Sequence, residues 1–288
     1  EIYTLSLHDA LPICSDSLGV EFMILNLDVA DSTLVRDYFH LTDVALRRNA
    51  ETDFGIFIAE GELTIKRAYK SGFILKSILC EEKWLPSLSG IPEETPIIIG
   101  KLAEMSKLTG YTVHRGALAS FYRKELPSEL LFGDMKKLLF LDGLVSHTNV
   151  GVIFRNAAAF GVDGILITNQ CADPLYRRAI RTSMGATFSI PWTRIENVSK
   201  TFDFLRKSGH TIIGLTPNKG DLSLRDWVPT GKETLVLGSE MHGISNEVLN
   251  EKMTLVSIPM KSGIDSLNVG SASAVVLYEY TQRMLNDS

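Results

Sequence analysis

Short apolar runs recur along the second half of the chain, with helical stretches between them. KLLFLDGL (137–144), GILITN (164–169), TFSIPWT (187–193), TIIGLT (211–216), TLVLGSE (234–240) and TLVSIPM (254–260) are near-continuous in apolar residues rather than alternating. That is the pattern of strands covered on both faces. Their alternation with helices predicts an α/β fold with a parallel, doubly wound sheet, whose ligands lie beyond the carboxyl ends of the strands.

The first half reads as a smaller layered α/β domain, from about Asp31 to Arg123. Its helical stretches are DYFHLTDVALRRNA, GELTIKRAYKSG and KLAEMSKLTG, and its strands are GIFIAE, FILKSILCEE, PIIIG and VHRGALASFYR. Between the halves, RKELPSELLFGDMKK loses strand character and contains Pro127 and Gly133, as a linker does. Residues 1–14 share no period with the rest of the chain and are read as a leader outside the fold, and residues 15 to about 31 as a poorly ordered lead-in. The expected division is therefore a leader at 1–30, a first domain at 31–125, a linker at 126–136 and a second domain at 137–288.

With 288 residues, 45% hydrophobic and 22% charged, the chain has the composition of a soluble, intracellular protein with room for two cores. Its apolar runs fall short of the roughly 18 to 20 residues that span a bilayer. Cys14, Cys80 and Cys171 are far apart and form no CxxC pair, and the six histidines form no HExxH. Reduced thiols, no zinc and no metal catalysis are expected. The net charge of −5 is a property of the amino end, since residues 1–31 hold six acidic and no basic side chains. The remainder is close to neutral, so local basic clusters decide whether a polyanion binds.

Three carboxyl-end loops of the second domain carry unusual combinations. In SHTNVGVIFRNAAAFG, Thr148 or Asn149 is placed to cap a helix that sets Arg155 about two turns in, among apolar neighbours. Asn149 and Arg155 are six apart and do not stack on one face, but a long arginine reaches toward the same loop region. In LVLGSEMHGIS, Gly238 and Gly243 bracket Glu240; glycines there permit a plain turn or the close approach of a ligand. In SLNVGSASAVVLYE, Ser266 is the expected N-cap, and Gly270, Ser271, Ala272, Ser273 and Ala274 leave almost no side-chain bulk. Close packing of two helices and a ligand held against the backbone both account for that stretch. GxGxxG after the first strand, GxxxxGK[ST] and GxSxG are all missing, which argues against a dehydrogenase, an NTPase and a serine hydrolase.

Together the loops, as Asn149-x5-Arg155-x-Ala157, Gly238-x-Glu240-x2-Gly243 and Ser266-Leu267-Asn268-Val269 continuing to Leu277-Tyr278-Glu279, resemble the signature motifs of the SpoU (TrmH-like) RNA 2′-O-ribose methyltransferases of the SPOUT class. LTDVALRR, GIFIAEGELTIKRA and HRGALA are more loosely similar to the small RNA substrate-binding domain that many members carry. The resemblance implies a carboxyl-terminal trefoil knot, which periodicity does not reveal, a cytoplasmic homodimer, and S-adenosylmethionine as methyl donor to a ribose 2′-OH of rRNA or tRNA. It further implies cofactor contacts from Leu215, Thr216, Gly238, Gly243, Ile258, Met260, Leu267, Asn268, Ser271 and Ala272. Arg155 would activate the hydroxyl, with Asn149, Glu240, Ser266 and Asn268 fixing the geometry. Arg177, Arg178 and Arg181 form the first candidate cluster for RNA, and Arg115 with His114, Lys66, Arg67 and Lys70 a second. A catalytically silent RNA-binding module of the same fold is the alternative.

Overall fold

The computed structural model describes residues 23–28, 30, 32–42, 55–92, 94–113, 116–218, 220–263 and 265–286, in two units within 1–124 and 125–288. In the first unit, strands β1 (Ile24–Asn26), β2 (Ile56–Glu60), β3 (Leu75–Cys80), β4 (Ile97–Ile99) and β5 (Ala117–Tyr122) lie in the order β1-β4-β3-β5-β2. β1, β4 and β3 are mutually parallel and β5 runs antiparallel to both its neighbours. Among the described residues its α-helices are α1 (Ser32–Val35), α2 (Glu62–Lys70) and α3 (Leu102–Thr109). Ile58, Leu79, Ile98 and Leu118 form one core with Tyr38 and Met105, while Phe57 stacks on Phe121 at 5.3 Å. The Cys80 thiol, deep in the sheet, is pushed up to about 12 by burial.

Two expectations change here. Ile24–Asn26 pairs with Ile97–Ile99 as an edge strand, although it falls in the stretch read as a poorly ordered lead-in; two apolar residues beside an Ile-Ile-Ile strand are enough to extend the sheet. Of the helix expected over 37–50, the described residues show only a 3-10 turn at Arg36–Tyr38, which ends where Phe39 is extended (φ −74°, ψ 129°), and residues 43–50 lie outside the described residues.

The second unit contains β6 (Lys137–Leu141), α4 (His147–Ala159), β7 (Gly164–Thr168), α5 (Arg177–Ser183), β8 (Trp192–Ile195), α6 (Val198–Lys207), β9 (Thr211–Thr216), β10 (Leu222–Ser223), β11 (Glu233–Leu237), α7 (Asn246–Leu249), β12 (Thr254–Ser257) and α8 (Val269–Asn286). The strands form one parallel sheet in the order β10-β12-β9-β11-β6-β7-β8. TFSIPWT is not the strand expected: Ala186–Phe188 makes a 3-10 turn and β8 begins at Trp192. Pro191 has no N–H for the ladder and contributes only its carbonyl, which accepts from the Ile165 N–H at 3.0 Å.

β11 and β12 end earlier than their apolar runs, at Leu237 and Ser257, which leaves Gly238–Gly243 and Ile258–Met260 as loops at the carboxyl edge. Phe140 and Phe202 meet edge to face at 4.7 Å in a core that also takes Leu138, Leu166, Val236 and Leu205. Phe132, from the stretch read as linker, is fully buried in this core, and its 3-10 segment Glu129–Asp134 is tied to α6 by Thr201 Oγ1 donating to Glu129 Oε2 at 2.7 Å.

At the opposite edge of the sheet, α8 is fastened to the amino ends of β6 and β11. Tyr280 donates its hydroxyl to the fully buried Glu233 at 2.8 Å, Thr230 Oγ1 donates to the other carboxylate oxygen at 2.8 Å, and Lys137 Nζ lies 4.6 Å from the Tyr280 ring centre. Desolvation pushes the Lys137 amine down, against the pull of Asp163 and Glu233. α4 packs on both α5 and α8, so the two ends of α8 are held by different elements. Among the described residues no helix is long and apolar enough to cross a membrane.

Candidate functional site

The start of α4 is capped by Ser146, whose hydroxyl accepts from the Asn149 N–H at 3.3 Å, rather than by Thr148 or Asn149. Asn149 therefore sits inside the first turn with its side chain free for longer-range contacts. Its Nδ2 donates to Glu240 Oε1 at 2.8 Å, and its Oδ1 accepts from Asn268 Nδ2 at 3.1 Å. Asn268 Oδ1 in turn accepts from the N–H groups of Gly270 at 2.9 Å and Ser271 at 3.3 Å. Asn268 is thus the cap of α8, and Ser266, two residues earlier, is not.

The polarity of this chain of bonds is dictated from one end. Backbone N–H groups can only donate, so Oδ1 of Asn268 faces them and its Nδ2 must donate to Asn149. Asn149 then presents its own Nδ2 to the Glu240 carboxylate, which can only accept. Three loops far apart in sequence are locked by two amides and one carboxylate.

The loop that carries Glu240 is itself rigid. Ser239 and Gly243 exchange backbone hydrogen bonds of 2.8 and 3.0 Å, and the Ser239 hydroxyl accepts from the His242 N–H at 3.2 Å. Gly243 needs its glycine for a φ of +67°, and Gly238 needs its own because a Cβ there would lie 2.1 Å from the Gly243 carbonyl carbon.

The small residues of α8 divide between the two uses considered for them. Gly270 and Ser273 serve helix packing: a Cβ on Gly270 would sit 2.7 Å from Val152 on α4, and Asn156 Nδ2 donates to Gly270 O at 2.8 Å and to Ser273 Oγ at 2.9 Å. Ala272, on another side of the helix, lines a cavity of about 510 Å³ that opens between the loops.

Leu215, Thr216, Gly238, Gly243, Ile258, Met260, Leu267, Asn268 and Ala272 line that cavity together with Glu240 and Ser266. Ser271, grouped with them on sequence, is exposed and does not line it. Leu237, Met241, His242, Asp265, Pro217 and Asn218 also line it, although the motifs do not mark them. Each lies within two residues of one that the motifs do mark, and the signal available in the sequence was this adjacency alone.

The volume lies within the roughly 300 to 1,000 Å³ of small-molecule sites. Apolar Leu215, Leu237 and Ile258 face loops in which the main chain of Ile258–Met260 and of Ser266–Leu267 makes no hydrogen bond to any described residue. Apolar walls beside unpaired backbone donors and acceptors fit a ligand with a flat heterocycle and a polar amino-acid end, and S-adenosylmethionine has both.

Arg155 stands apart. It lies about 100° around α4 from Asn156, is exposed rather than set among its apolar neighbours, does not line the cavity, and makes no hydrogen bond or ion pair with any described residue. The chain by itself does not bring Arg155 to Asn149, Glu240 and Asn268. Arg178 and Arg181 are exposed on α5, and Arg177 is half-buried. α5 reaches α4 closely because residue 151 is glycine, where a Cβ would lie 2.5 Å from Ala179 O. Arg194, unremarked in the sequence, holds the loop before α5 by donating from Nη1 to the carbonyls of Cys171 at 3.1 Å and Thr168 at 3.3 Å. In the first unit Lys66 is paired with Glu62 at 2.7 Å, while Arg115 and His114 lie outside the described residues.

Residues 136–278 match the SpoU rRNA Methylase family. An uncharacterised tRNA/rRNA methyltransferase of Mycobacterium bovis is 31% identical over 260 residues, covering 88% of this chain and 90% of that protein. The 23S rRNA (guanosine-2′-O-)-methyltransferase RlmB of Escherichia coli K12 is 28% identical over 218 residues, 73% of this chain and 89% of the relative. In fold, the chain is similar to the SpoU methyltransferase AviRb of Streptomyces viridochromogenes, solved in complex with AdoMet, with a TM-score of 0.75 at 23% identity over 89% of this chain and 99% of that one. With the motif loops meeting at one cavity and a relative matched over nearly its whole length, the chain belongs to the SpoU rRNA methylase family.

Proposed function

We propose that this chain transfers a methyl group from S-adenosylmethionine to a ribose 2′-OH of rRNA or tRNA. The observation that carries the reading is the chain of hydrogen bonds from Glu240 through Asn149 to Asn268 at the mouth of the cavity. When bound, S-adenosylmethionine supplies an electrophilic methyl on a sulfonium. Leu215, Leu237 and Ile258 offer apolar walls to it, and the unpaired main chain near Met260 and Leu267 offers polar contacts. Transfer requires the ribose oxygen in line and roughly 3 to 3.5 Å from the methyl carbon. Asn149, Glu240 and Asn268 hold the cavity mouth at fixed separation, with Ser266 lining it, which is the protein's part in that alignment.

Arg155 belongs to the same proposal through a second copy of the chain. Its exposure outside the cavity, together with the exposed apolar Val275 (40% exposed) and Tyr278 (54%) on α8, supports a homodimer in which each protomer's Arg155 completes its partner's site. A guanidinium stays protonated, so its role is to orient and polarise the hydroxyl rather than to take its proton. Arg177, Arg178 and Arg181 would meet RNA phosphates, with the first unit, read as domain 31–125, contributing substrate contacts in the cytoplasm. The trefoil knot is part of this reading; the segments it would join supply Gly238–Gly243, Ile258, Met260 and Asp265–Asn268 to the cavity lining.

Arg155→Ala tests the assignment. It should keep S-adenosylmethionine binding, read by calorimetry, and lose methyl transfer by about a hundredfold or more, the scale of a lost transition-state contact. Transfer at the unaltered rate would refute the role.

A further inference from the structure

The tip of the Glu240 loop has a feature that cofactor binding does not explain. Met241 is 83% exposed, the highest value among the exposed large apolar side chains of the described residues, and His242 beside it is also exposed. Both line the cavity. A methionine held in water on a mobile loop would mean little, but this one stands on a turn closed by the paired Ser239–Gly243 bonds, with the His242 N–H tied to the Ser239 hydroxyl. The same turn carries Glu240, fixed through Asn149 to Asn268. The tip is therefore held at a set position relative to the site, with its apolar side chain presented outward.

We propose that Met241 and His242 form the contact surface for the nucleobase of the nucleotide whose ribose is methylated. This rests on the reading of the cavity given above. A phosphate contact would call for Arg or Lys, and neither residue of the tip is one. Single-stranded or splayed RNA bases present flat faces that stack on aromatic side chains. A methionine packs on such faces through a flexible, polarisable thioether, and an imidazole offers both a ring face and a hydrogen-bonding nitrogen to a base edge. Leu215, Leu237 and Ile258 are largely shielded from solvent while Met241 is 83% exposed, so the base would meet the tip from the solvent side and leave those walls to the cofactor. Seating the base on the tip would hold its ribose over the mouth that Glu240 and Asn268 define.

The test uses the full-length protein and an RNA oligonucleotide carrying the position that the unaltered chain methylates, made once with the natural base and once with an abasic ribonucleotide there. Met241→Ala should lower kcat/KM on the natural RNA by roughly three- to tenfold, within the range of a lost sulfur–aromatic contact, and should change transfer to the abasic RNA less than about twofold. Met241→Leu should retain most of the activity on both. All three proteins are compared at saturating S-adenosylmethionine, because Met241 also lines the cofactor cavity, and their melting temperatures should be the same. Equal losses on natural and abasic RNA, no loss on either, or a shifted oligomeric state would each overturn the proposal while leaving the methyltransferase reading intact. Failure of the unaltered chain to methylate any RNA would overturn that reading and this one with it.

Discussion

Asn149→Asp tests the polarity of the site's hydrogen-bond chain. In the native chain every atom of the Asn149 amide faces its opposite: Nδ2 donates to the Glu240 carboxylate at 2.8 Å and Oδ1 accepts from Asn268 at 3.1 Å. Aspartate keeps the second contact and reverses the first, setting one carboxylate against another. The lost bond to a charged acceptor is worth about 1.5 to 3 kcal/mol. Repulsion between two unit charges about 4 Å apart adds about 1 kcal/mol in a water-like dielectric, the regime that applies because Glu240 is exposed. Rotation of Glu240 into solvent recovers part of both, so the net expectation is about 1 to 3 kcal/mol of lost stability.

Glu240→Gln is expected to be milder, because the amide carbonyl oxygen it introduces still accepts from Asn149. In the double variant the new amide at position 240 donates to the new carboxylate at position 149. That carboxylate then accepts from both neighbours, so the chain is rebuilt with one link reversed. The four proteins form a double-mutant cycle. Urea denaturation followed by the fluorescence of Trp192 and Trp227, both buried in the second unit, would measure it. The double variant should be more stable than the sum of the single changes by about 1 to 2 kcal/mol. Additivity within about 0.5 kcal/mol would refute the proposed polarity.

Gly238→Ala must open the rigid turn, since its Cβ would lie 2.1 Å from the main chain of Gly243 and Ile244; S-adenosylmethionine affinity should fall about tenfold by calorimetry, the equivalent of about 1.4 kcal/mol, and unchanged affinity would contradict the site. His210, 4% exposed with Nδ1 3.1 Å from Thr234 Oγ1 and a buried Nε2 that has no hydrogen-bond partner among the described residues, has its pKa pulled down by burial first and by Lys232 second. Below the ordinary histidine value of about 6.5 the unfolded chain binds more protons than the folded one, so stability falls as pH drops from there through the lower folded value and is regained above it. Denaturation midpoints between about pH 5 and 8 should show this slope, and His210→Gln should flatten it; an equal slope in the variant would assign the effect elsewhere.

Much of this site was legible because its chemistry is local to short motifs. Near-continuous apolar runs identified five of the seven strands of the second sheet and the edge at which its loops converge; the run at 187–193 overlaps β8 only at Trp192 and Thr193, and the two-residue β10 has no run long enough to register. What the sequence concealed was which of several competent side chains makes a given contact. Ser266 and Asn268 are both good helix caps, as are Ser146, Thr148 and Asn149, and only the path of the chain decided for Asn268 and Ser146. The small residues of α8 could not be divided between packing and ligand contact before α4 was placed against Gly270. Asn149 and Arg155 share a loop region along the chain because six residues is a short separation, yet it is a large rotation around a helix. The strand at Trp192–Ile195 starts later than expected because TFSI is as apolar as a strand, and the break imposed by Pro191 carries more weight than hydrophobicity.

The chemical position of the transferred methyl distinguishes ribose methylation from methylation of a base. RNA incubated with the protein and S-adenosylmethionine bearing a deuterated methyl group can be digested to nucleosides and read by mass spectrometry. The label should remain with the ribose when the base is cleaved away, at a position that becomes resistant to alkaline hydrolysis. Label that leaves with the base, or no label in either rRNA or tRNA from a protein that binds S-adenosylmethionine, would contradict ribose methylation.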